Sequence, residues 1–471
     1  MVTNNRLVGI RAVASPAAPV PETLPDERLA LASLFSLAIL LHATLLALSH
    51  FPEPRVESGD EVRYLAYAET AWESGEAGRH PLWPPLYFQV LTGAFFLGLG
   101  RLGVQLAQLG LLWLAAWLLY DLCRHWSGSK LVGTVAGGLV LLYPPLVAFA
   151  FYFWPEILHL TLFLGALWIL ALRSHRFAWL FSAGVLLGLC ILTKHVLRPF
   201  LPVLLLPLLF EGRRTERLSR LAVVLTGFLV AVAPVLTKLP WPIEDEFTSA
   251  PVFNVWTGLN DRSRKNFVAP VVGAEFNAYE QSAPSYAKRN RLLFSKVVGL
   301  VEARGLWSVT ASQLSRQYFR LFDKDSFLTD QLPGGELASS NAGYRGGPPV
   351  LLSALRWGSY ILYTLVLIFA VIGIAVCPRR GRRWIWVGFA FLAYNLAIFL
   401  VLHVKSRYRI QFMPFLFFFS ACGTVWAVEK LRLLRGGVPI WNTDISAKSW
   451  CVVAAGQALM LFLAWGGPAL D

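Results

Sequence analysis

The run RLALASLFSLAILLHATLLALSH, residues 28–50, is the stretch that decides the fold. It is long enough to cross the hydrocarbon core of a bilayer as one helix, which takes about 20 apolar residues. It is too long for the apolar core of a cleaved signal peptide, and it has no clear cleavage site. The run therefore predicts a retained signal-anchor helix, preceded by a polar cytoplasmic tail over residues 1–27.

Similar apolar runs follow along the chain, and the composition agrees with them. Hydrophobic residues make up 56% of the 471 residues and charged residues 15%, whereas soluble domains carry about a quarter charged residues. Backbone polar groups inside lipid must find partners within their own segment, so these runs should be helices. The sequence predicts an all-α polytopic membrane protein. Its predicted spans are residues 28–50, 103–123, 131–153, 156–173, 177–193, 197–211, 219–240, 350–376, 384–402, 409–429 and 449–467.

One further apolar run, Pro85 to Gly100, decides the topology because it either crosses the membrane or lies at its outer surface. If it does not cross, every arginine-rich loop falls on the side of the N-terminus, as the positive-inside rule expects. We therefore predict about eleven transmembrane helices and an outer C-terminus. The arginine-rich loops are residues 124–130, 173–176, 213–220, 379–383 and 430–435.

This topology divides the chain into four parts. Residues 1–27 form the tail, and residues 28–240 form an N-terminal transmembrane catalytic module that includes an extracytoplasmic juxtamembrane loop, residues 51–102. Residues 241–349 form a small extracytoplasmic cap, because the segment is long, polar and mixed in charge. Residues 350–471 supply the C-terminal transmembrane helices.

Charge and motifs exclude several function classes. The net charge of +14 does not indicate nucleic-acid binding, because the basic residues lie in short loops between apolar runs. The sequence contains no Walker-type loop, no Gly-rich dinucleotide fingerprint and no zinc-protease helix motif. We therefore expect no nucleotide cofactor and neither a nucleotide-sugar enzyme nor an ATP-driven pump.

Two acidic positions fall on the predicted outer side. Asp60 and Glu61 follow the first span, where adjacent carboxylates are costly unless they are solvated or used. Either could act as a general base on an acceptor, or both could simply favour the first turn of a helix. Glu156 opens a helix after Pro155, and His159 lies on the same face three residues on. That pair could bind a metal, or it could be a capping carboxylate beside an interfacial histidine.

Two cationic clusters also lie on the predicted outer side, against the positive-inside trend. The first could hold a phosphate group or snorkel to lipid headgroups. For the second we expect a headgroup or phosphate role. The first comprises Lys194, His195 and Arg198, and the second comprises His403, Lys405, Arg407, Tyr408 and Arg409.

The order of these clusters resembles the GT-C glycosyltransferase superfamily, and most closely its branch of protein O-mannosyltransferases and the bacterial aminoarabinose transferase of lipid A. The resemblance rests on order, spacing and shared sidedness over most of residues 28–430, since each motif alone is short. The motifs are Asp60-Glu61 with Tyr64 and Ala68, the His80-Pro81 and Pro84-Pro85-Leu86-Tyr87 stretch, Glu156 after Pro144-Pro145, and Arg407-Tyr408-Arg409 with Pro414.

The resemblance implies a sugar donor on a polyprenyl phosphate and an inverting transfer outside the cytoplasm. It implies catalytic roles for Asp60, Glu61 and Glu156, while the cationic clusters would bind the lipid phosphate. Some relatives depend on a divalent metal ion, for which Asp60, Glu156, His80 and His159 are the candidate ligands here. Partners would be the lipid-linked donor, membrane lipid and an acceptor glycan, lipid or protein, with the oligomeric state open.

The leading alternative is a transporter or flippase for a lipid-linked or small polar substrate. Such proteins usually show repeated halves and charges near the middle of the membrane. Here the charges cluster at the outer ends and no halves repeat, which favours the transferase. Short cytoplasmic loops and the lack of large appended domains favour a bacterial plasma membrane, with the site facing the periplasm.

Overall fold

A computed structural model describes most of the chain, and it is helical nearly throughout. The predicted all-α class is confirmed, since the β structure within the described residues is a single bridge between Val56 and Gly343. The described residues are 25–74, 83–210, 212–236, 249–260, 274, 277–279, 281–282, 286–338, 342–378, 381–434 and 445–467.

The helices are numbered here in chain order. They are α1 (Pro25–His50), α2 (Asp60–Ser74), α3 (Leu86–Phe96), α4 (Gly100–Ser127), α5 (Lys130–Leu142), α6 (Pro144–Ala148), α7 (Glu156–Leu172), α8 (Phe177–Thr193), α9 (Leu201–Leu205), α10 (Arg214–Leu236), α11 (Ser249–Asn260), α12 (Tyr286–Arg304), α13 (Leu306–Phe322), α14 (Phe327–Gln331), α15 (Pro349–Val376), α16 (Arg382–Val401), α17 (Met413–Leu434) and α18 (Ala447–Trp465).

Five helices in the described part of the chain are long and apolar enough to cross a membrane, and shorter apolar helices accompany them. In lipid such helices satisfy their own backbone groups, so the bundle fits an integral membrane protein. The five candidate spans are Leu31–His50, Gly100–Ser127, Arg214–Pro234, Pro349–Val376 and Arg382–Val401.

Proline interrupts two of the predicted spans. The single helix predicted over residues 131–153 is wrong, because α5 ends at Leu142 before Pro144 and Pro145. A residue before proline is pushed out of the helical region, and Tyr143 is accordingly extended. The predicted span over 197–211 is also broken, into two 3-10 turns around the five-residue α9.

The run from Pro85 to Gly100 forms the short helix α3, which packs against α2. Its eleven residues extend about 16 Å, roughly half of a hydrocarbon core that is about 30 Å thick. Gly98 and Gly100 take positive φ values, so the chain turns sharply there into α4. A helix of this length is too short to cross such a core, and the topology predicted from the arginine-rich loops stays a prediction.

The connections meet at two opposite ends of the bundle. At one end, Gly381 N donates to the carbonyl of Trp126 over 3.1 Å, which joins two of the arginine-rich loops. At the other, Lys324 N donates to Ala464 O and His403 N donates to Asn254 O. The bridge between Val56 and Gly343 and the ion pair between Asp60 and Arg407 bring the first loop to the same end, where the predicted cap and the turn before α17 also lie.

Helices α15 and α17 cross in very close contact. A Cβ atom at Gly373 would lie 1.7 Å from the carbonyl oxygen of Phe419, and one at Gly423 would lie 2.1 Å from that of Phe369. Small residues let helix backbones approach in this way within membranes. The crossing therefore depends on glycine at both positions.

We expect Gly373→Val to destabilise the fold by about 1–3 kcal/mol, because an overpacked crossing must separate. Thermal unfolding of the detergent-purified protein would show a lower Tm. The matched control is Gly358→Val on the same helix, since a Cβ there meets nothing within 4 Å. Equal Tm values for the two variants would contradict the crossing.

Candidate active site

The site is built around a non-helical segment inside the bundle, residues 149–155 between α6 and α7. Buried backbone carbonyls need partners, and two glutamines of α4 supply them. Gln105 donates to Phe151 O over 2.9 Å, and Gln108 donates to Ala150 O and Tyr152 O over 3.1 and 2.8 Å. Irregular backbone is thereby fixed within the bundle, next to the start of α7.

A buried ion pair ties this segment to the start of α2. Arg55 donates to both oxygens of Glu61 over 2.8 and 2.6 Å, and the Glu61 side chain is fully buried. Glu61 also accepts from the backbone nitrogens of Ser58 and Phe153 over 3.2 and 2.9 Å. Arg55 donates in addition to the side-chain oxygen of Gln331 over 3.0 Å.

The role predicted for Glu61 is catalytic, and its surroundings favour a positioning role instead. Four donor contacts occupy its two oxygens, so neither oxygen is open to a substrate. What the carboxylate does is hold α2 and the 149–155 segment at a fixed separation. Its neighbour Asp60 and the nearby Glu156 are thereby placed relative to each other.

Asp60 forms an ion pair with Arg407, which lies 347 residues further along the chain. The guanidinium carbon of Arg407 also lies 4.7 Å from the ring centroid of the buried Trp154, a cation–π arrangement. Burial alone would raise the pKa of Asp60, but Arg407 and Lys405 outweigh it and lower that pKa to about 2. Asp60 is therefore ionised throughout the physiological range.

Lys405 has an extended backbone and directly precedes the 3-10 turn Ser406–Gln411. Burial and then Arg407 lower the pKa of Lys405 and Asp60 opposes them, and the net result is a pKa of about 8. Burial together with Lys405, Arg320 and Arg407 also lowers the pKa of His403, which is neutral at pH 7. Lys405 and Arg407 are thus the cations that act on Asp60 from this turn.

Glu156 pairs with Lys194 through one oxygen, at 2.8 Å, while its second oxygen, Oε2, is buried without a hydrogen-bond partner in the described chain. Arg407 Nε is likewise buried and unpaired there. Burial raises the pKa of Tyr64, and the negative charges of Asp60 and Glu156 raise it further, so Tyr64 interacts with both carboxylates. The cluster formed by Asp60, Glu156 and Arg407 therefore contains one acceptor atom and one donor atom that have no hydrogen-bond partner.

The other predicted phosphate ligands are placed differently. Burial and the neighbouring Arg198 lower the pKa of His195 to about 4, so His195 carries no charge at pH 7, and Arg198 itself is exposed. Arg409 turns inward, where it donates to Asp323 O and lies 4.2 Å from the ring centroid of Tyr363. Tyr408 stacks on Phe399 at 5.6 Å. The phosphate role predicted for these residues stays a prediction.

The described residues do not fit a metal site. They contain no group of three or more His, Cys, Asp or Glu side chains arranged to hold an ion. Asp60 and Glu156 each accept from a cationic side chain, and the buried His159 lies 3.3 Å from the sulfur of Cys190. His80 lies outside the described residues, so a divalent metal ion bound by this set stays a prediction.

Several residues of the site were not predicted from the sequence. Gln105 and Gln108 sit three residues apart in an apolar run, and buried amides in a membrane helix are a signal of function that could have found them. Arg55 is a cation on the predicted outer side, which breaks the positive-inside trend. Trp154 gave no signal, because aromatic residues are common throughout the chain.

Residues 80–241 match the family model described as dolichyl-phosphate-mannose-protein mannosyltransferase. The predicted GT-C resemblance is confirmed. The match covers Glu156 and the segment that holds Lys194, His195 and Arg198, and it leaves out Asp60 and Arg407. The part of the GT-C resemblance outside residues 80–241 rests on the short motifs alone.

Among solved structures, the chain is similar to ArnT from Cupriavidus metallidurans, in the apo state and bound to undecaprenyl phosphate. The apo form is 16% identical with a TM-score of 0.38, over 84% of this chain and 77% of that chain. The complex is 16% identical with a TM-score of 0.40, over 85% of this chain and 77% of that chain. A search of curated proteins finds no match.

We expect Glu61→Ala to destabilise the helical bundle by about 3–5 kcal/mol, because it leaves the buried Arg55 guanidinium without its counter-charge. Thermal unfolding in detergent would show this as a lower Tm. The matched control is Glu57→Ala, whose partner Arg101 is half exposed at 51%; we expect a change of about 0–1 kcal/mol. A Glu61→Ala protein as stable as the control would overturn the positioning role.

Proposed function

We propose that the protein is a membrane glycosyltransferase. It moves a sugar from a polyprenyl-phosphate donor to an acceptor on the extracytoplasmic side, with inversion at the anomeric carbon. The carrying observation is the pair of buried, unpaired atoms in one charged cluster, Glu156 Oε2 and Arg407 Nε. An unsatisfied buried polar group is costly, so such atoms point to a ligand that supplies the missing hydrogen bonds.

The donor suits this cluster because it already carries its leaving group. The anomeric carbon is bonded to a phosphate, so no nucleotide is needed to activate it. As that bond breaks, the phosphate gains one negative charge, and Lys405 and Arg407 are the fixed cations placed to stabilise it. Stabilising charge that develops during reaction is commonly the largest contribution of an enzyme site.

Asp60 is the proposed general base, and its ion pair sets when it can act. A carboxylate with a pKa of about 2 is a weak base, because Arg407 stabilises its charged form. Donor phosphate competes with Asp60 for Arg407, so donor binding raises the basicity of Asp60. The acceptor oxygen then attacks the anomeric carbon, its proton passes to the carboxylate, and polyprenyl phosphate departs. A single displacement of this kind inverts the anomeric carbon.

Glu156 fits an orienting role in the same step. Its Oε1 is held by Lys194 at 2.8 Å, so the direction of the free Oε2 is set. A hydroxyl or amine of the acceptor, or a hydroxyl of the donor sugar, can donate to it. The sugar and the acceptor class, whether glycan, lipid or protein, are left open by this chemistry. A bacterial plasma membrane with a periplasmic site remains part of the proposal.

A transporter or flippase is the second candidate, and the broken segment 195–210 favours it. Discontinuous helices often form substrate sites in transporters. Against it, Asp60 and Glu156 lie at helix starts at one end of the bundle rather than midway. The two candidate functions predict different effects of replacing Asp60. A transferase would lose the sugar modification, whereas a transporter would keep it.

We expect Asp60→Asn to lower transfer about 10²–10⁴-fold, the contribution of a positioned general base. Envelope glycans, glycolipids and glycoproteins would be compared by mass spectrometry in three strains: a null, the wild type, and Asp60→Asn at equal expression. A modification absent from both the null and the variant names the sugar and acceptor together. The matched control is Glu73→Gln, an exposed carboxylate on the same helix, which should keep the modification.

If Asp60→Asn keeps the modification that the null loses, the base assignment fails. Asp60 would then serve only as a first-turn carboxylate of α2, favoured by the helix dipole. The transport function would move ahead in that case.

The rate should also depend on pH through Lys405. Its pKa of about 8 means that it loses its charge as pH rises through 8, whereas a phosphodiester donor keeps its charge there. We expect kcat/KM of the purified enzyme to fall on the alkaline side of 8, and Lys405→Arg to remove that fall because arginine stays protonated. An alkaline limb that persists in Lys405→Arg would exclude Lys405 as its source.

A further inference from the structure

Helix α13 turns a polar stripe toward the protein, beside buried apolar residues such as Val309 and Phe319. Its buried face carries Gln313, Arg316, Gln317 and Arg320, and Gln317 and Arg320 are both 0% exposed. These positions follow the i, i+3, i+4, i+7 spacing of one helix face. A helix in water normally turns such residues outward and its apolar residues inward.

The two glutamines of the polar face contact the neighbouring helix α11. Gln313 and Gln317 each donate to the carbonyl of Gly258 over 3.1 Å, in the neighbouring helix α11. Arg320 lies near the 3-10 turn before α17, since its charge contributes to the lowered pKa of His403. Gly258 itself lies against the backbone of His403, since a Cβ atom there would be 2.7 Å from His403 N, so this face of α13 is turned toward the segment that carries Lys405 and Arg407.

The outward face carries no charge and its large side chains are apolar, with the exposed Ser308 and Ser315 beside them. Trp307, Ala311, Leu314 and Tyr318 follow the i, i+4, i+7, i+11 spacing and form one stripe. Trp307 is 85% exposed and Leu314 is 45% exposed, and Leu306 next to Trp307 is also exposed. Neither arginine of α13 lies on this stripe, although the helix has two.

The C-terminal part of α13 contacts the candidate membrane span α16 inside the end of that helix, and it also contacts the apolar helix α18. The hydroxyl of Tyr318 donates to Leu396 O over 3.0 Å, and Leu396 precedes Val401, the last residue of α16, by five positions. At 1.5 Å per residue, that contact is about 7.5 Å inside the end of the span. Phe319 packs edge-on against Phe462 of α18 at 5.2 Å. Interfacial helices bury their apolar faces about 5–10 Å into the acyl boundary.

The preceding helix carries the complementary charge. Helix α12 contains five basic residues and one acidic residue, a balance of +4, and it joins α13 through Gly305. Basic residues beside an apolar helix face are typical of segments that bind lipid headgroups. The basic residues are Lys288, Arg289, Arg291, Lys296 and Arg304, and the acidic residue is Glu302.

We propose that α13 lies within the outer leaflet, with the stripe Trp307, Ala311, Leu314 and Tyr318 on lipid acyl chains. It is a wall of the site that separates lipid on one face from the polar interior on the other. The proposal does not depend on the proposed function, because it follows from exposure, charge and depth alone. The occupant of the stripe is membrane lipid rather than a second copy of the chain or a protein partner.

The test is spin-label accessibility in the full-length protein reconstituted in nanodiscs. Labels are placed through Leu314→Cys and Ala311→Cys in a Cys451→Ser background, since Cys451 is the exposed native thiol. Collisions with oxygen, which dissolves in lipid, are compared with collisions with a water-soluble nickel chelate. Reference labels are Leu365→Cys on the apolar span α15 and Ser282→Cys in the cap, both at exposed positions.

We expect the oxygen-to-nickel ratio at residues 311 and 314 to exceed that at residue 282 several-fold and to approach that at residue 365. Nickel collisions as frequent as at residue 282 would place the stripe in water and overturn the proposal. Protection from both reagents, with dipolar broadening between labels, would assign the stripe to a second copy and overturn the lipid occupant. Agreement between the two label positions would show that the accessibility belongs to the helix face and does not come from a local disturbance by one label.

Discussion

The buried ion pair between Arg55 and Glu61 is the contact on which the site geometry depends. Such a pair adds little net stability, because desolvating two charges offsets most of their attraction. Its effect here is positional, since Glu61 accepts from both Arg55 and the backbone of Phe153. One carboxylate therefore sets the separation between the first turn of α2 and the start of α7. Asp60 and Glu156 are the two carboxylates proposed to act on substrate, and they lie at these two helix starts, so the same contact fixes the distance between them.

A second constraint explains why non-helical backbone can lie inside the bundle beside the site. Pro144 and Pro145 stop α5 after thirteen residues, and the chain from Phe149 to Pro155 beyond the short α6 is not helical, so its carbonyls at positions 150–152 need partners from elsewhere. Gln105 and Gln108 supply those partners from a neighbouring helix. Non-helical backbone is tolerated at membrane depth where protein buries it or where it lines a polar cavity. The proline break and the two amides thus belong together, since either alone would leave buried polar groups unsatisfied.

The sequence predicted the helical class, the grouping of loops and the residues Asp60, Glu156 and Arg407, because charge in an apolar chain is conspicuous. It did not predict the pairing of Asp60 with Arg407, since nothing local links positions 347 residues apart. Breaks within apolar runs were missed as well, because a run such as 131–153 has the same composition whether it continues as a helix or turns. Prolines mark those breaks, and giving them more weight than hydropathy would have found both.

The charges of the site balance through the proposed reaction. Lys194 and Arg407, the ion-pair partners of the two carboxylates, and Lys405 contribute three positive charges, and Asp60 and Glu156 contribute two negative charges, so these five groups sum to +1. A buried excess charge is costly, and a phosphodiester donor with one negative charge cancels it. When the sugar leaves, the phosphate reaches −2, while the acceptor proton neutralises one carboxylate and the protein charge rises to +2. These five groups and the phosphate are thus neutral together before and after transfer, so the reaction does not have to create uncompensated charge among them.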